Sequence, residues 1–183
     1  MRLTDPKPSS FESELSHEND PPQENAQILE KISPPGNIRR AKLFDASPIT
    51  RCVKAAYSGY IARMDRTPAP MLHNYLNKIL TCQVFVKEQG QEVIGVLILL
   101  PQYRSMLLEN VAVHPKAQGQ GFGRQLLQLA ELETRRQGFQ SIELYTNVCM
   151  KENIELYRQL GYSETDRKLI QGYDRVFMTK YLP

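Results

Sequence analysis

Three glycines at alternate positions, Gly119, Gly121 and Gly123, separate the end of a β-branched stretch from the start of an apolar-periodic one. Val111-Ala112-Val113 stops at His114-Pro115, and Leu126, Leu127, Leu129, Ala130 and Leu132 recur at helical spacing. Strand, glycine loop and helix in that order restrict the chain to a fold in which helices pack on a sheet. The same order sets bare backbone N–H groups at the positive end of a helix dipole, a favourable seat for a phosphate. Glycine allows close backbone approach and positive φ without a side-chain clash. The plainer reading is a glycine-rich turn ahead of an ordinary helix.

Spacing separates the phosphate loops that share this logic. A nucleotide-hydrolase loop reads G-x-x-x-x-G-K-[ST], and no Lys follows Gly121 or Gly123. A dinucleotide loop reads G-x-G-x-x-G, but Arg124 stands where its third glycine belongs. Gln118-Gly119-Gln120-Gly121-Phe122-Gly123 instead fits Q/R-x-x-G-x-G/A.

Composition narrows the setting. With 183 residues the chain suffices for one ordinary domain. No apolar run approaches the ~20 residues of a membrane helix; the longest, residues 93–100, is interrupted by Gly95. Cys52, Cys82 and Cys149 are odd in number and widely spaced, which predicts buried free thiols rather than disulfides or a metal site. His17, His73 and His114 are isolated, so no metal is expected.

Residues 1–36 hold six of the twelve prolines and seven acidic residues against three basic ones. So little apolar surface does not offset the entropy of ordering, which predicts a disordered acidic extension. It is too acidic for a transit peptide and lacks the apolar core of a secretory signal, so a cytoplasmic protein is expected. Residues 37–183 form the domain, with 20 Lys and Arg against 13 Asp and Glu. That surplus suits a ligand with several phosphates. Nucleic acid is the other reading, but no aromatic-and-basic RNA-module signature is present. Neither nucleic acid nor membrane is expected as a partner.

Strands are expected over residues 38–43, 84–88, 93–100, 105–113, 141–146, 163–170 and 173–181. Helices are expected over 47–64, with Ser47 as cap and Pro48 at the first helical position, and over 71–80. Two more follow: one after the glycine loop to about residue 137, closed by Gly138, and one over 152–160, closed by Gly161. Thr67-Pro68-Ala69-Pro70 is expected as a rigid loop.

Loop and element order together resemble the Gcn5-related N-acetyltransferases (GNAT) across residues 37–183. The resemblance implies the acyl-CoA N-acyltransferase fold, α/β (mixed α+β), with a central mixed, mostly antiparallel sheet of about seven strands and about four flanking helices. It implies acetyl-CoA as co-substrate, without a metal. Its binding residues would be Val111, Ala112 and Val113 on the strand and Gln118, Gly119, Gln120, Gly121, Phe122, Gly123 and Arg124 in the loop.

Leu156-Tyr157-Arg158-Gln159-Leu160-Gly161-Tyr162 matches the family pattern L-Y-x-x-L-G-F/Y. The family's Tyr lies beside the coenzyme sulfur and can protonate the departing thiolate, which implies that role for Tyr157. By spacing alone, Tyr157 shares a helix face with Ile154 and Leu160 and reads as a core aromatic. Many members carry a coenzyme-contacting Asn seven residues earlier, where this chain has Met150. Asn153, one turn before Tyr157, either takes that contact or caps the helix.

Acyl transfer to an amine needs donors for the thioester oxygen and a base for the amine. The strand end at Val111, Ala112 and Val113 supplies donors if its neighbour splays away. Glu109, among Leu107, Leu108 and Val111, is the candidate base or else a strand residue ion-paired to an Arg. Strict alternation would put Glu109 on one face with Leu107, Val111 and Val113. Tyr60 to Met71 resembles Y-x-x-R-x-x-R-x-P-A-P-M of a bacterial subset. Tyr60, Arg63, Arg66 and Met71 are therefore expected to face an aromatic or acidic acceptor, or to form a surface connector. The implied activity is direct acetyl transfer from acetyl-CoA to a primary amine of a small molecule or peptide, by a monomer or homodimer. A non-catalytic acyl-CoA-binding module is the alternative.

Removing residues 1–35 is expected to leave the thermal midpoint and turnover nearly unchanged. A midpoint drop of several degrees in a melting experiment would show that the segment docks on the domain.

Overall fold

The stretches that alternate or run apolar form seven strands in the computed structural model, which describes residues 37–183. The expectations for residues 1–36 lie outside the described residues. The strands are β1 (Ile38–Arg40), β2 (Gln83–Gln89), β3 (Glu92–Pro101), β4 (Met106–Val113), β5 (Ser141–Asn147), β6 (Ser163–Ile170) and β7 (Tyr173–Tyr181). They build one sheet in the order β1-β2-β3-β4-β5-β7-β6. Every neighbouring pair is antiparallel except β4 with β5. The helices are α1 (Ala46–Tyr57), α2 (Ile61–Met64), α3 (Tyr75–Thr81), α4 (Phe122–Arg136) and α5 (Lys151–Gln159). Since α1 and α2 are one interrupted helix, the sheet carries four helical units, as expected.

Element ends differ from expectation for local reasons. β1 stops at Arg40 because residues Leu43–Asp45 already turn as a 3-10 helix, with Asp45 Oδ2 accepting from Lys42 N at 2.7 Å. That turn runs into α1, so Asp45 rather than Ser47 precedes the helix. The helix does not continue to residue 64; a 3-10 turn at Ser58–Tyr60, around Gly59, separates α1 from α2. α3 starts at Tyr75 because Asn74 caps it, its Oδ1 accepting from Asn77 N at 3.1 Å. Gly138 and Gly161 close their helices at φ 79° and 88°. The six-to-one bonds of this motif are present, Phe139 N to Thr134 O and Tyr162 N to Tyr157 O.

Apolar side chains fill both faces of the sheet. On one face, Leu97, Leu99, Met106 and Leu108 pack with Leu126, Leu129 and Ile154 from α4 and α5. On the other, Val84, Val86, Val96, Ile98 and Ala112 pack with Ile49, Cys52, Val53 and Tyr75 from α1 and α3.

Two irregularities of β4 position the site. Ile98 pairs with Asn110 while Leu99 pairs with Leu108, so Glu109 is the extra residue of a β-bulge. The bulge breaks the alternation expected from sequence. Leu108 shares its face with Val111 and Val113, and Ala112 packs on the α1 side. The second irregularity is that β4 pairs with β5 only at Met106, Leu107 and Leu108. Beyond Leu108 the two parallel strands part.

Burial raises the phenols of Tyr57, Tyr75, Tyr157 and Tyr162 above their ordinary value of 10.0, with neighbouring charges adding less. The unfolded chain releases these protons near pH 10 and the folded chain keeps them. Above that pH the unfolded state binds fewer protons, so stability falls as pH rises. The thermal midpoint is expected to drop steeply above about pH 10. A midpoint that stays level from about pH 9 to 11 would contradict this burial.

Candidate functional site

The parting of β4 from β5 opens a cleft between the sheet and the start of α4. Its floor is Val111, Ala112 and Val113, and its end is the glycine loop. The loop follows β4 through His114 and a 3-10 turn at Pro115–Ala117. Gly119 and Gly121 take φ 76° and 79°, and a Cβ on either would meet nothing within 4 Å. Gly121 is the N-cap of α4 and offers no side-chain cap. The first turn of α4 therefore presents its N–H groups to the cleft rather than to a protein acceptor. Gln118 Nε2 donates to Val113 O at 2.9 Å and ties the loop to the strand.

This cleft, about 610 Å³, brings together nearly all the residues expected to hold the coenzyme. Val111, Ala112, Val113, Gln118, Gly119, Gly121, Phe122, Gly123, Arg124, Asn153 and Tyr157 line it. Its volume lies within the ~300–1,000 Å³ of small-molecule sites. Gln120 does not line it; its Nε2 turns back to Lys116 O at 3.3 Å.

A second, narrower pocket of about 70 Å³ lies on the other side of the gap. Pro68, Ala69 and Pro70 roof it, and Glu109, Asn110, Tyr145, Asn147, Tyr173 and Arg175 form its walls. Four residues line both spaces: Tyr57, Val111, Asn153 and Tyr157. The two openings meet where the strands separate.

Tyr157 sits at that junction, 6% exposed, with its ring 5.7 Å from that of Tyr162. Burial holds its hydroxyl protonated well beyond neutral pH, with a smaller push from Tyr60. Asn153 lies in the first turn of α5, but the N-cap is Met150 and no side chain caps it. The helix-capping alternative for Asn153 is thus not what the chain adopts; its Nδ2 lies 3.7 Å from Met150 Sδ.

Glu109 lines the narrow pocket and is ion-paired to Lys78 of α3, with Cys82 Sγ 3.8 Å from its other oxygen. The partner is a Lys, not the Arg that a structural pair suggested. The bulge aims the carboxylate toward α3.

The expected acceptor-side residues divide. Tyr60 lines the wide cleft, not the narrow pocket. Arg63 and Met71 line neither. Arg63 pairs with Glu152 at 2.9 Å and donates to Cys149 O at 2.5 Å, fastening α2 to the start of α5. Arg66 donates to Gln171 O at 3.0 Å and lies 4.6 Å over the Tyr173 ring. Tyr173 in turn donates to Thr67 O at 2.8 Å. These contacts anchor the Pro68–Pro70 roof to the β6–β7 hairpin, so the arginines hold the strap while the proline segment makes the wall.

Sequence reading missed a buried polar chain beneath the pocket. Tyr57 donates to Asn110 Oδ1 at 2.8 Å, Asn110 Nδ2 donates to the Tyr75 hydroxyl at 3.4 Å, and Tyr75 donates to Pro70 O at 2.7 Å. Tyr57 and Tyr75 lie near the acceptor loop in sequence, but no spacing rule links them to Asn110. Arg175 and Tyr145 were missed because they belong to strands that pair across a long connection.

The three cysteines are free; Cys52 is buried, while Cys82 and Cys149 are only partly so. Among the described residues, no group of three or more His, Cys, Asp or Glu is arranged to hold a metal. No helix among them is long and apolar enough to cross a membrane.

The family model for the acetyltransferase (GNAT) domain matches residues 81–164, from the end of α3 through the start of β6. The chain is similar to an acetyltransferase of the GNAT family from Desulfovibrio desulfuricans, at 19% identity and TM-score 0.67, over 80% of this chain and 98% of that one. It is also similar to the PaiA N-acetyltransferase of Thermoplasma acidophilum in complex with coenzyme A (19%, TM-score 0.61, 79% and 97%). A GNAT acetyltransferase from Elizabethkingia anophelis with acetyl-CoA bound shares the fold as well (19%, TM-score 0.57, 81% and 100%). Residues 81–164 thus match the acetyltransferase (GNAT) domain, and the chain shares the fold of GNAT-family acetyltransferases.

Proposed function

We propose that the chain is an acetyl-CoA-dependent N-acetyltransferase that moves the acetyl group directly to a primary amine of a small molecule or peptide. The observation that carries this reading is the meeting of two differently built spaces at Tyr57, Val111, Asn153 and Tyr157. The wide cleft fits acetyl-CoA: an uncapped helix start with two open, positive-φ glycines suits a pyrophosphate, and an unpaired strand edge suits the pantetheine arm. Bound there, acetyl-CoA supplies a thioester carbonyl open to attack by an amine.

The chain's own groups then have separate tasks. Gly121, Phe122, Gly123 and Arg124 fix the phosphates through backbone N–H groups. The open edge of β4 at Val111 to Val113 orients the arm and offers donors to developing negative charge. The narrow pocket aligns the amine, and that alignment supplies much of the acceleration. Glu109 is the base, direct or through water, and the Tyr157 hydroxyl is the acid beside the sulfur. Deriving both partners from opposite sides of one gap requires no acyl-enzyme.

The test is thiol release from acetyl-CoA in the presence of an amine panel. Release that depends on added amine supports transfer. Tight acetyl-CoA binding with no amine-dependent release would leave the non-catalytic acyl-CoA-binding module.

A further inference from the structure

Resting on that transferase reading, we propose that the acceptor is an amine that also carries a carboxylate, and that Arg175 binds the carboxylate. The narrow pocket contains one acidic and one basic side chain, Glu109 and Arg175. Lys78 already neutralises Glu109. The Arg175 side chain forms no ion pair or hydrogen bond with another described residue. Its guanidinium lies 4.3 Å over the Tyr145 ring and 5.9 Å from that of Tyr173. The pocket therefore carries one uncompensated positive charge.

Seated over the Tyr145 ring, the guanidinium keeps its N–H donors free for an anion. A planar fork suits a carboxylate in two-point contact. A phosphate dianion usually meets more than one cation or a helix start, and the pocket offers neither beyond Arg175. Arg175 stands on β7 directly across from Asn147 on β5. It sits on the pocket wall, whereas Tyr57, Val111, Asn153 and Tyr157 mark the junction with the coenzyme cleft. An acceptor whose carboxylate reaches Arg175 thus points its amine at the junction. The small volume favours a short amino acid over a folded protein surface.

Initial rates should be compared for amino acids, their methyl esters and aminoalkyl phosphates. The free acids are expected to exceed their esters at least about tenfold in kcat/KM. Arg175→Met keeps the stem on Tyr145 but removes the charge; it should raise KM for the acids about 10- to 100-fold, so that acid and ester converge. Arg175→Lys should keep part of the preference, with an unchanged thermal midpoint confirming the fold. Calorimetry of the free acid on the coenzyme A complex gives a readout apart from turnover, and Arg175→Met should abolish that binding. If acids bind through Arg175 but no amine is acetylated, the substrate inference stands and the transferase reading fails. Equal use of acids and esters, a preference for phosphates, or a preference that survives Arg175→Met would overturn the inference while leaving the transferase intact.

Discussion

Gly121→Val is expected to weaken acetyl-CoA binding by about 100-fold or more while the chain stays folded. A Cβ at Gly121 would meet no protein atom within 4 Å, so the new side chain enters the cleft and not the core. It would occupy the space where a phosphate approaches the first turn of α4. Charge-assisted hydrogen bonds are worth about 1.5–3 kcal/mol each, and losing two of them accounts for that factor. The backbone at φ 79° adds a separate cost to the fold, about 1–3 kcal/mol for a residue other than glycine. The thermal midpoint should therefore fall by several degrees without collapse. Gly121→Ala carries much of the strain with less bulk and separates the two effects. Calorimetric titration reads the affinity, and an unchanged value in folded Gly121→Val would remove the loop from the site.

Tyr157→Phe and Glu109→Gln should both lower turnover, with different pH dependence. An amine with an ordinary pKa of about 10.4 is neutral only about once in two or three thousand molecules at pH 7. Losing the base should hurt most at low pH and less as rising pH supplies neutral amine. Losing the acid should lower the chemical step across the whole range, because the buried phenol stays protonated throughout it. General acid–base contributions reach roughly 10²–10⁴-fold, and Tyr157→Phe should lie toward the low end because thiolates leave readily. The profiles should be taken with saturating acceptor, after confirming that chemistry limits the rate. A Glu109→Gln profile parallel to wild type at every pH would return Glu109 to an ion-paired strand residue held by Lys78.

Much of the wide cleft was legible because it is local. Strand end, glycine spacing and helix start are contiguous, and the physics that joins them acts over a dozen residues. Gln118, Gly119, Gly121 and Arg124 therefore line one cleft together. The L-Y-x-x-L-G-Y stretch is contiguous too, and Tyr157 stands at the junction of the two spaces. The narrow pocket was less legible because it is assembled from α1, α2, the proline strap, β4, β5 and β7. Alternation failed at Glu109 because one added residue in β4 shifts every later side chain to the opposite face. Arg63 and Arg66 looked available because their partners, Glu152 and the Gln171 carbonyl, lie far along the chain. The strap's arginines turned out to be fasteners, and the pocket's cation came from β7.

The central claim is that an acetyl group passes directly to an amine nitrogen where the two spaces meet. Its most direct measurement is to incubate the full chain with acetyl-CoA labelled in the acetyl group and an amino acid acceptor, then to analyse acceptor and protein by fragmentation mass spectrometry. The predicted result is label on the acceptor nitrogen, one thiol released per acetyl transferred, and no label on the protein. Acetyl-CoA bound to the protein with no label on any acceptor would contradict the account and leave a binding module.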